Sequence, residues 1–276
     1  MQNPPVILSL SALDPSGCGG LQADIETAAS LGCHCAPVAT ALCSTGSSST
    51  AEVLAVDSTL VIEQARSVLE DMSVKAIKVG FAGSVANVEA IHSILQDYPS
   101  IPLIMHPAFC LWDKDSSEQA DLPAALSALL LPQACVLVTS LEEAHILVKV
   151  SDTVDATAQG ITNSGCQYLL LNETLPKEQK FQATLYDAKG LIKHYLWDQA
   201  PPTCHGSTST LTMAIAALQG HDCPPQAAVE QAQNYAWQAL AAARQLGFGK
   251  PTPHRFFWAD KNIDQPGAMP SGNRTH

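Results

Sequence analysis

The chain has 276 residues, of which 46% are hydrophobic and 14% charged, a composition that fits one large globular domain with a substantial core. Its formal net charge is −12 and no basic cluster is visible, which argues against a nucleic-acid surface because phosphate backbones bind clustered Lys and Arg. The apolar runs are too short to cross a bilayer, so we expect no membrane segment.

Short apolar segments alternate with helix-patterned segments along most of the chain. The predicted strands, in chain order, are Val6–Leu10, Ala36–Cys43, Val74–Val79, Pro102–His106, Ala134–Val138 and Tyr168–Leu171. The predicted helices are Leu21–Leu31, Leu60–Met72, Val85–Leu95, Ala124–Leu130, Leu141–Val148, Val154–Ser164, Ser207–Leu218 and Pro225–Leu246. Phe181–Tyr186 and Gly190–Leu196 are typical of an antiparallel hairpin.

This alternation predicts an α/β fold with a mostly parallel central sheet covered by helices on both faces. Ligands in such sheets bind in the loops beyond the carboxyl ends of the strands. We expect one domain over residues 1–258 and a polar C-terminal tail over residues 259–276. The nine scattered cysteines fit free thiols in a reducing compartment, which favours the cytoplasm.

The segment Cys204–Thr210 opens one of the predicted helices and is rich in small hydroxyl residues. A helix start has unpaired N–H groups and the positive end of the helix dipole, so it can bind an anion. Ser and Thr are also ordinary helix caps. The segment taken alone leaves both roles open.

A second loop follows the first predicted strand and reads Asp14-Pro15-Ser16-Gly17-Cys18-Gly19-Gly20-Leu21-Gln22-Ala23-Asp24. It resembles the D-P-S-G-G-A-G-x-Q-A-D signature of the hydroxymethylpyrimidine and phosphomethylpyrimidine kinases, which belong to the ribokinase-like superfamily. The resemblance continues to about Trp258. It includes Thr40-Ala41-Leu42, Ile77-Lys78-Val79-Gly80, Glu142-Glu143-Ala144, His205-Gly206 and Gly249-Lys250-Pro251-Thr252-Pro253-His254.

The resemblance implies a ribokinase-like three-layer α/β/α fold that transfers a phosphoryl group from ATP, with Mg²⁺. The acceptor would be a pyrimidine alcohol or its phosphate in thiamine biosynthesis, or a pyridoxine-type alcohol. Gly206, Ser207 and Thr208 would form the anion hole, and Ser209 would stand at the position of the base. Glu143 matches the family's acidic residue near magnesium. Lys78 matches a recurrent lysine at the end of the third strand, which the resemblance assigns to the nucleotide, although a surface or helix-packing role fits it equally.

Two departures fall in the anion-hole loop, where the family's G-T-G-C reads Gly206-Ser207-Thr208-Ser209. Thr208 replaces a glycine with a β-branched residue, which restricts the backbone and crowds the approach to it. Ser209 replaces the cysteine base, and a serine hydroxyl does not ionise near neutral pH without a partner. His205 is the nearest candidate partner in sequence, and a structural role suits it as well.

Other departures affect the expected nucleotide and metal positions. Ser140 stands for the asparagine of T-P-N-x-x-E, and His106 stands for the aspartate of D-P-V-M. Asn172-Glu173 replaces the start of a Lys-Gly-Gly motif, which removes a positive charge and adds a carboxylate that would repel a triphosphate. The resemblance still assigns Ser140 and Asn172 to the nucleotide.

The expected substrate positions keep Asp14, Cys18 and Gly20 of the first loop and differ elsewhere. The other substrate-binding candidates are Ala12, Thr45, Phe81, His106 and Phe109. Phe81 and Phe109 could stack on a flat heteroaromatic ring or belong to the core. Three hypotheses follow. The first is a working kinase, the second is a homologue that binds a pyrimidine or B6 vitamer as a sensor or carrier, and the third is a purely structural or assembly role. The resemblance also implies a homodimer.

Overall fold

A nine-stranded sheet forms the centre of the protein, whose computed structural model describes residues 3–46, 50–148, 153–175, 180–197 and 204–259. The strands are β1 (Val6–Leu13), β2 (His34–Thr45), β3 (Thr50–Ala55), β4 (Val74–Val79), β5 (Leu103–Met105), β6 (Ala134–Ser140), β7 (Tyr168–Leu175), β8 (Lys180–Asp187) and β9 (Gly190–Trp197). Their order across the sheet is β3-β2-β1-β4-β5-β6-β7-β8-β9. The six strands from β2 to β7 in that order are parallel, whereas β3, β8 and β9 run antiparallel to their neighbours.

Helices cover both faces of this sheet. They are α1 (Gly20–Ser30), α2 (Ser58–Asp71), α3 (Val85–Asp97), α4 (Leu122–Ala125), α5 (Leu141–Val148), α6 (Val154–Asn163), α7 (Ser207–Gly220) and α8 (Pro225–Ala241). One hydrophobic cluster joins the sheet to α2 through α6, and a second joins it to α1, α7 and α8. The predicted three-layer α/β/α architecture is therefore confirmed.

The parallel strands form because their apolar side chains are buried on both faces, as in a covered parallel sheet. Helix α7 is buried around most of its circumference, since it lies between the sheet and the neighbouring helices α1 and α8. Helices α2, α3 and α6 are preceded by the N-cap residues Asp57, Ser84 and Thr153. The side chains of these residues accept hydrogen bonds from first-turn N–H groups. These caps fix where three of the surface helices start.

Several elements differ from the prediction: β1 and β7 continue three and four residues beyond their predicted ends, and the predicted helix Ala124–Leu130 overlaps α4 only at residues 124–125. Two differences have a clear cause. Strand β3 was not predicted, because Thr50–Ala55 follows a Ser-rich stretch and forms an edge strand whose Leu54 is exposed. Helix α8 ends at Ala241 and not at Leu246, because the chain there pairs Arg244 with Thr252 in an isolated antiparallel bridge. The predicted tail begins with Ala259 and otherwise lies outside the described residues.

A buried ion pair joins α1 to β4. The Lys78 Nζ atom lies 2.8 Å from the Asp24 Oδ2 atom, and both side chains are fully buried. The Ser9 hydroxyl donates to the same oxygen at 2.7 Å, while the Asp24 Oδ1 atom has no hydrogen-bond partner among the described residues. The surface role considered for Lys78 is therefore wrong. Removing one partner of such a pair typically costs about 3–5 kcal/mol, because an uncompensated charge remains in the core.

The nine cysteines all lie within the described residues and are free thiols. Among those residues, no helix combines the length and the apolar character that a membrane span requires.

Candidate active site

A cavity of about 320 Å³ lies at the carboxyl ends of the parallel strands, where the topology predicts a ligand. Ser11 and Ala12 close it from β1, Gly80 and Phe81 from the end of β4, and Ser140 from the end of β6. The predicted site residues that line it are Ala12, Asp14, Gly20, Phe81, His106, Ser140, Glu143, Gly206, Ser207, Thr208 and Ser209. One cavity thus brings together most of the residues that the sequence singled out.

Asp14 organises the first loop from within. Its Oδ1 atom accepts hydrogen bonds from the Ser16 N–H group at 2.9 Å and the Ser16 hydroxyl at 2.7 Å. Its Oδ2 atom accepts from the Gly19 N–H group at 2.9 Å. Gly20 follows with φ +55°, and an added Cβ there would collide with the Ala12 carbonyl oxygen. The loop therefore requires both the carboxylate and the glycine to hold its shape.

His205 connects this loop to the start of α7. Its Nε2 atom lies 3.4 Å from the Asp14 Oδ2 atom. Burial works to raise the pKa of Asp14, but the hydrogen bonds from His205, Ser16 and Gly19 outweigh it and lower the pKa from 3.8 to about 2. Asp14 is ionised at neutral pH and oriented, and His205 is engaged with it.

The first turn of α7 faces the cavity. Gly206 precedes the helix in a left-handed conformation with φ +80°, and no side chain caps the helix start. Ser207, Thr208 and Ser209 are half-buried and line the cavity. Uncapped N–H groups at a helix start bind anions, so the predicted anion-hole role is chemically available here. Thr208 lies in regular helix, where a β-branched residue is tolerated, so its backbone is compatible with this role.

Arg255 joins the first loop to α7 by hydrogen bonds. This side chain is 1% exposed, and its Nε atom donates to the Thr210 hydroxyl at 3.0 Å. Its Nη1 atom donates to Glu26 at 2.8 Å, and its Nη2 atom donates to the Cys18 carbonyl oxygen. Arg255 was not among the predicted site residues, although it directly follows the Gly249–His254 segment that carries the resemblance.

Ser140 and Glu143 form a capping box at the start of α5. The Glu143 N–H group donates to the Ser140 hydroxyl at 3.2 Å, and the Ser140 N–H group donates to the Glu143 Oε2 atom at 3.2 Å. The Thr139 hydroxyl donates to the same oxygen at 3.3 Å. The Glu143 Oε1 atom accepts from the Phe109 N–H group at 3.1 Å and lies 3.6 Å from His106 Nε2.

These contacts decide the charge of Glu143 and its fitness for a metal. Burial works to raise its pKa, but His106 and the N–H groups of Ser140 and Phe109 outweigh it and lower the pKa from 4.5 to about 2. Both carboxylate oxygens are engaged by protein donors. Among the described residues, no three His, Cys, Asp or Glu side chains cluster in a way that could hold a metal ion. Glu143 could therefore supply a single carboxylate to a Mg²⁺ ion, whose other ligands would be nucleotide phosphates and water.

The remaining predicted residues lie outside the described cavity lining. The Cys18 Sγ atom lies 2.9 Å from the Thr252 hydroxyl, and the Phe109 ring packs against Trp112 with centroids 5.6 Å apart. Lys78 is paired with Asp24 in the core. Asn172 is the β7 neighbour of Ser140, and its buried Oδ1 atom has no described partner. The side chain of Thr45 lies outside the described residues, so its role stays a prediction.

Lys250 also lines the cavity, although it was not among the predicted site residues. Its position within the Gly249–His254 segment could have indicated a role, because this segment carries the resemblance. The segment follows α8 by several residues and contacts the first loop through Thr252 and Cys18.

Comparison with known proteins agrees with this arrangement. A family model for phosphomethylpyrimidine kinase matches residues 14–254. The hydroxymethylpyrimidine/phosphomethylpyrimidine kinase of Mycobacterium bovis is 31% identical over 258 residues, covering 89% of this chain and 92% of that protein. The enzyme of the same name from Rhizobium meliloti is 28% identical over 264 residues, covering 92% and 99%.

Solved structures confirm the ribokinase-like fold. The ADP complex of Bacillus subtilis pyridoxal kinase has a TM-score of 0.81 at 22% identity, covering 91% of this chain and 97% of that chain. The sequence match and the fold indicate the same family, and most of the predicted site residues line one cavity. The chain belongs to the phosphomethylpyrimidine kinase family.

Proposed function

We propose that this protein transfers a phosphoryl group from ATP to the alcohol of hydroxymethylpyrimidine, or to its phosphate, in thiamine biosynthesis. The observation that carries the proposal is the uncapped start of α7, which faces a cavity at the carboxyl ends of β1, β4 and β6. The names of the relatives supply the substrate class, and the bound ADP of the pyridoxal kinase supports a nucleotide donor.

In this reaction the protein contributes positioning and anion binding. The N–H groups of Ser207, Thr208 and Ser209 would hold the oxygens of the transferred phosphoryl group, where negative charge must be stabilised. Asp14 holds the shape of the first loop, and Arg255 joins that loop to α7. Phe81 lines the cavity and is available to a flat ring. Glu143 caps α5 through its hydrogen bonds with Ser140, and it stays the predicted acidic residue near magnesium.

Proton removal is the weak part of the proposed catalysis. Ser209 stands at the position of the base, and its hydroxyl cannot serve as an efficient base near neutral pH. His205 is hydrogen-bonded to Asp14 instead. Because no efficient base is present, we expect turnover to be slow. Because a loose phosphoryl-transfer transition state depends less on a base, we expect turnover to be retained.

The second candidate is a binding protein that holds the heteroaromatic ligand as a sensor or carrier. Ser209 favours this function, and so does Glu143, whose carboxylate is fully engaged by protein donors. The two functions share the same cavity and differ in whether ATP is consumed.

We also propose that the protein acts in the cytoplasm, where its nine free thiols would stay reduced, and that it forms a homodimer, as the resemblance implies.

One assay separates the two functions. ADP release is followed with hydroxymethylpyrimidine, its phosphate and pyridoxal, for the natural protein, Ser209→Cys and the matched control Ser207→Cys. We expect slow turnover by the natural protein and a gain of at least about tenfold for Ser209→Cys, because a general base contributes about 10²- to 10⁴-fold. Ligand binding without turnover by any of the three proteins contradicts the kinase proposal and leaves the binding protein. An equal gain for Ser207→Cys would show that the base position is assigned wrongly.

A further inference from the structure

The cavity contains one fully cationic side chain. Among the described residues that line it, Lys250 is the single Lys or Arg, and it shares the cavity with residues 206–209 at the start of α7. No ion pair of Lys250 occurs within the described part of the chain. An exposed lysine that has no carboxylate partner and lies beside an uncapped helix start is available to an anion.

The backbone around Lys250 is held in place on both sides. The carbonyl oxygen of Gly249 accepts a hydrogen bond from Gln245 Nε2 at 2.7 Å. The carbonyl oxygen of Pro251 accepts from the His205 N–H group at 3.0 Å, and Thr252 pairs with Arg244 by two hydrogen bonds of 2.9 Å. The Thr252 hydroxyl also lies 2.9 Å from the Cys18 Sγ atom. The lysine therefore extends from a base that is tied to both the first loop and the anion-hole loop.

The carboxylates of the cavity are already engaged elsewhere. Asp14 accepts from Ser16 and Gly19 and faces His205, while Glu143 accepts from the N–H groups of Ser140 and Phe109. Neither of them neutralises Lys250. Burial is the main cause of the raised pKa of the Cys110 thiol, and the charge of Glu143 raises this pKa further. The positive charge of Lys250 acts in the opposite direction and lowers it. Lys250 and Glu143 thus act on the same part of the cavity.

We propose that Lys250 binds the phosphoryl group during its transfer, because it lines the cavity beside the uncapped start of α7 and the cavity carboxylates are engaged by other donors. The proposal rests on the proposed function for the identity of the anion. In the step itself, the alcohol oxygen bonds to the γ-phosphorus, the bond from that phosphorus to the bridging oxygen of ADP breaks with its electron pair going to ADP, and the alcohol proton passes to solvent water. Lys250 forms and breaks no covalent bond, and it neutralises charge on the phosphoryl oxygens.

The test compares Lys250→Gln and Lys250→Arg with the matched control Lys189→Gln, an exposed lysine in the β8–β9 turn. The first readout is the dissociation constant of inorganic phosphate, measured by calorimetry at low and high NaCl. We expect Lys250→Gln to weaken phosphate binding about tenfold and to reduce its salt dependence, because one charge–charge contact is lost. Lys250→Arg should keep most of the affinity, since it retains the charge. Lys189→Gln should bind phosphate like the natural protein.

The second readout is turnover, for which Lys250→Gln should lower kcat by about 10- to 100-fold with little change in the KM of the alcohol, because the contact acts on the transferred group. Unchanged phosphate affinity in Lys250→Gln, an equal loss in Lys189→Gln, or undetectable phosphate binding by the natural protein would each overturn the proposal. If the natural protein shows no turnover, the proposed kinase function fails, while the phosphate titration still decides the role of Lys250.

Discussion

At the scale of single residues, Glu143 illustrates how one side chain can satisfy two different interpretations of a sequence. The acidic position matched a residue near magnesium, yet Ser140 and Glu143 also carry the S-x-x-E spacing of a capping box. The structure shows the capping hydrogen bonds in both directions. His106 contributes the final contact, and no local pattern could reveal it because the residue lies 37 positions earlier in the chain.

The lowered pKa of Glu143 predicts how stability depends on pH. A carboxyl group with a lower pKa in the folded chain stabilises the fold above its unfolded pKa, and this contribution disappears as the pH falls through the folded value. The pKa of Glu143 is lowered from 4.5 to about 2 in the folded chain. Its contribution to the unfolding free energy should therefore be complete above about pH 5 and lost near pH 2. The pKa of Asp14 is also lowered to about 2, so its contribution to stability should be lost over the same pH range.

We therefore expect Glu143→Gln to flatten the acid limb of the unfolding free energy by on the order of 2–3 kcal/mol, measured by urea unfolding between pH 2 and 7. The remaining slope should come largely from Asp14. The control is Glu142→Gln, an exposed neighbour in the same helical turn, which should leave the curve unchanged. A Glu143→Gln curve parallel to that of the natural protein would contradict the capping role.

At the scale of elements, the contact between the first loop and the start of α7 determines the shape of the site. Alternation of apolar and helical patterns predicted the parallel strands and most helices, because each pattern is local. The pairing of Lys78 with Asp24 and the clamp from Arg255 could not be predicted, since their partners are distant in sequence. The edge strand β3 was missed for a related reason, because edge strands carry a weaker apolar pattern.

Gly206 provides a direct test of this contact. It has φ +80°, and an added Cβ would collide with the carbonyl oxygen of Cys18. Gly190 is a matched control, because it has φ +116° but nothing lies within 4 Å of an added Cβ. Gly190→Ala should cost about 1–2 kcal/mol from the backbone conformation alone. Gly206→Ala should cost about 1–3 kcal/mol more, because the two loops must move apart.

Chemical unfolding measures both variants, and the phosphate titration shows whether the anion site survives. We expect Gly206→Ala to lose phosphate binding and Gly190→Ala to keep it. Equal stabilities for the two variants would mean that the loops separate without cost, which would contradict a rigid site.

At the scale of the whole molecule, the sheet leaves one apolar row uncovered at its β3 edge. Leu13 pairs with Leu42 across β1 and β2, and Leu42 pairs with Leu54 across β2 and β3, so the three side chains share one face. They are 43%, 45% and 62% exposed. Contiguous exposed apolar surface beside an open strand edge is typical of protein–protein contacts. We propose that the homodimer implied by the resemblance forms through this surface.

Leu54→Lys should therefore convert the proposed dimer to a monomer, because a charge at the centre of an apolar contact is buried without a partner. The measurement is molar mass by light scattering after size-exclusion chromatography, over a range of protein concentrations. Leu191→Lys is the control, since Leu191 is 48% exposed on β9 at the opposite edge of the sheet. It should leave the molar mass unchanged. A monomeric natural protein would refute the dimer itself, whereas dissociation caused by Leu191→Lys alone would place the interface at the β9 edge.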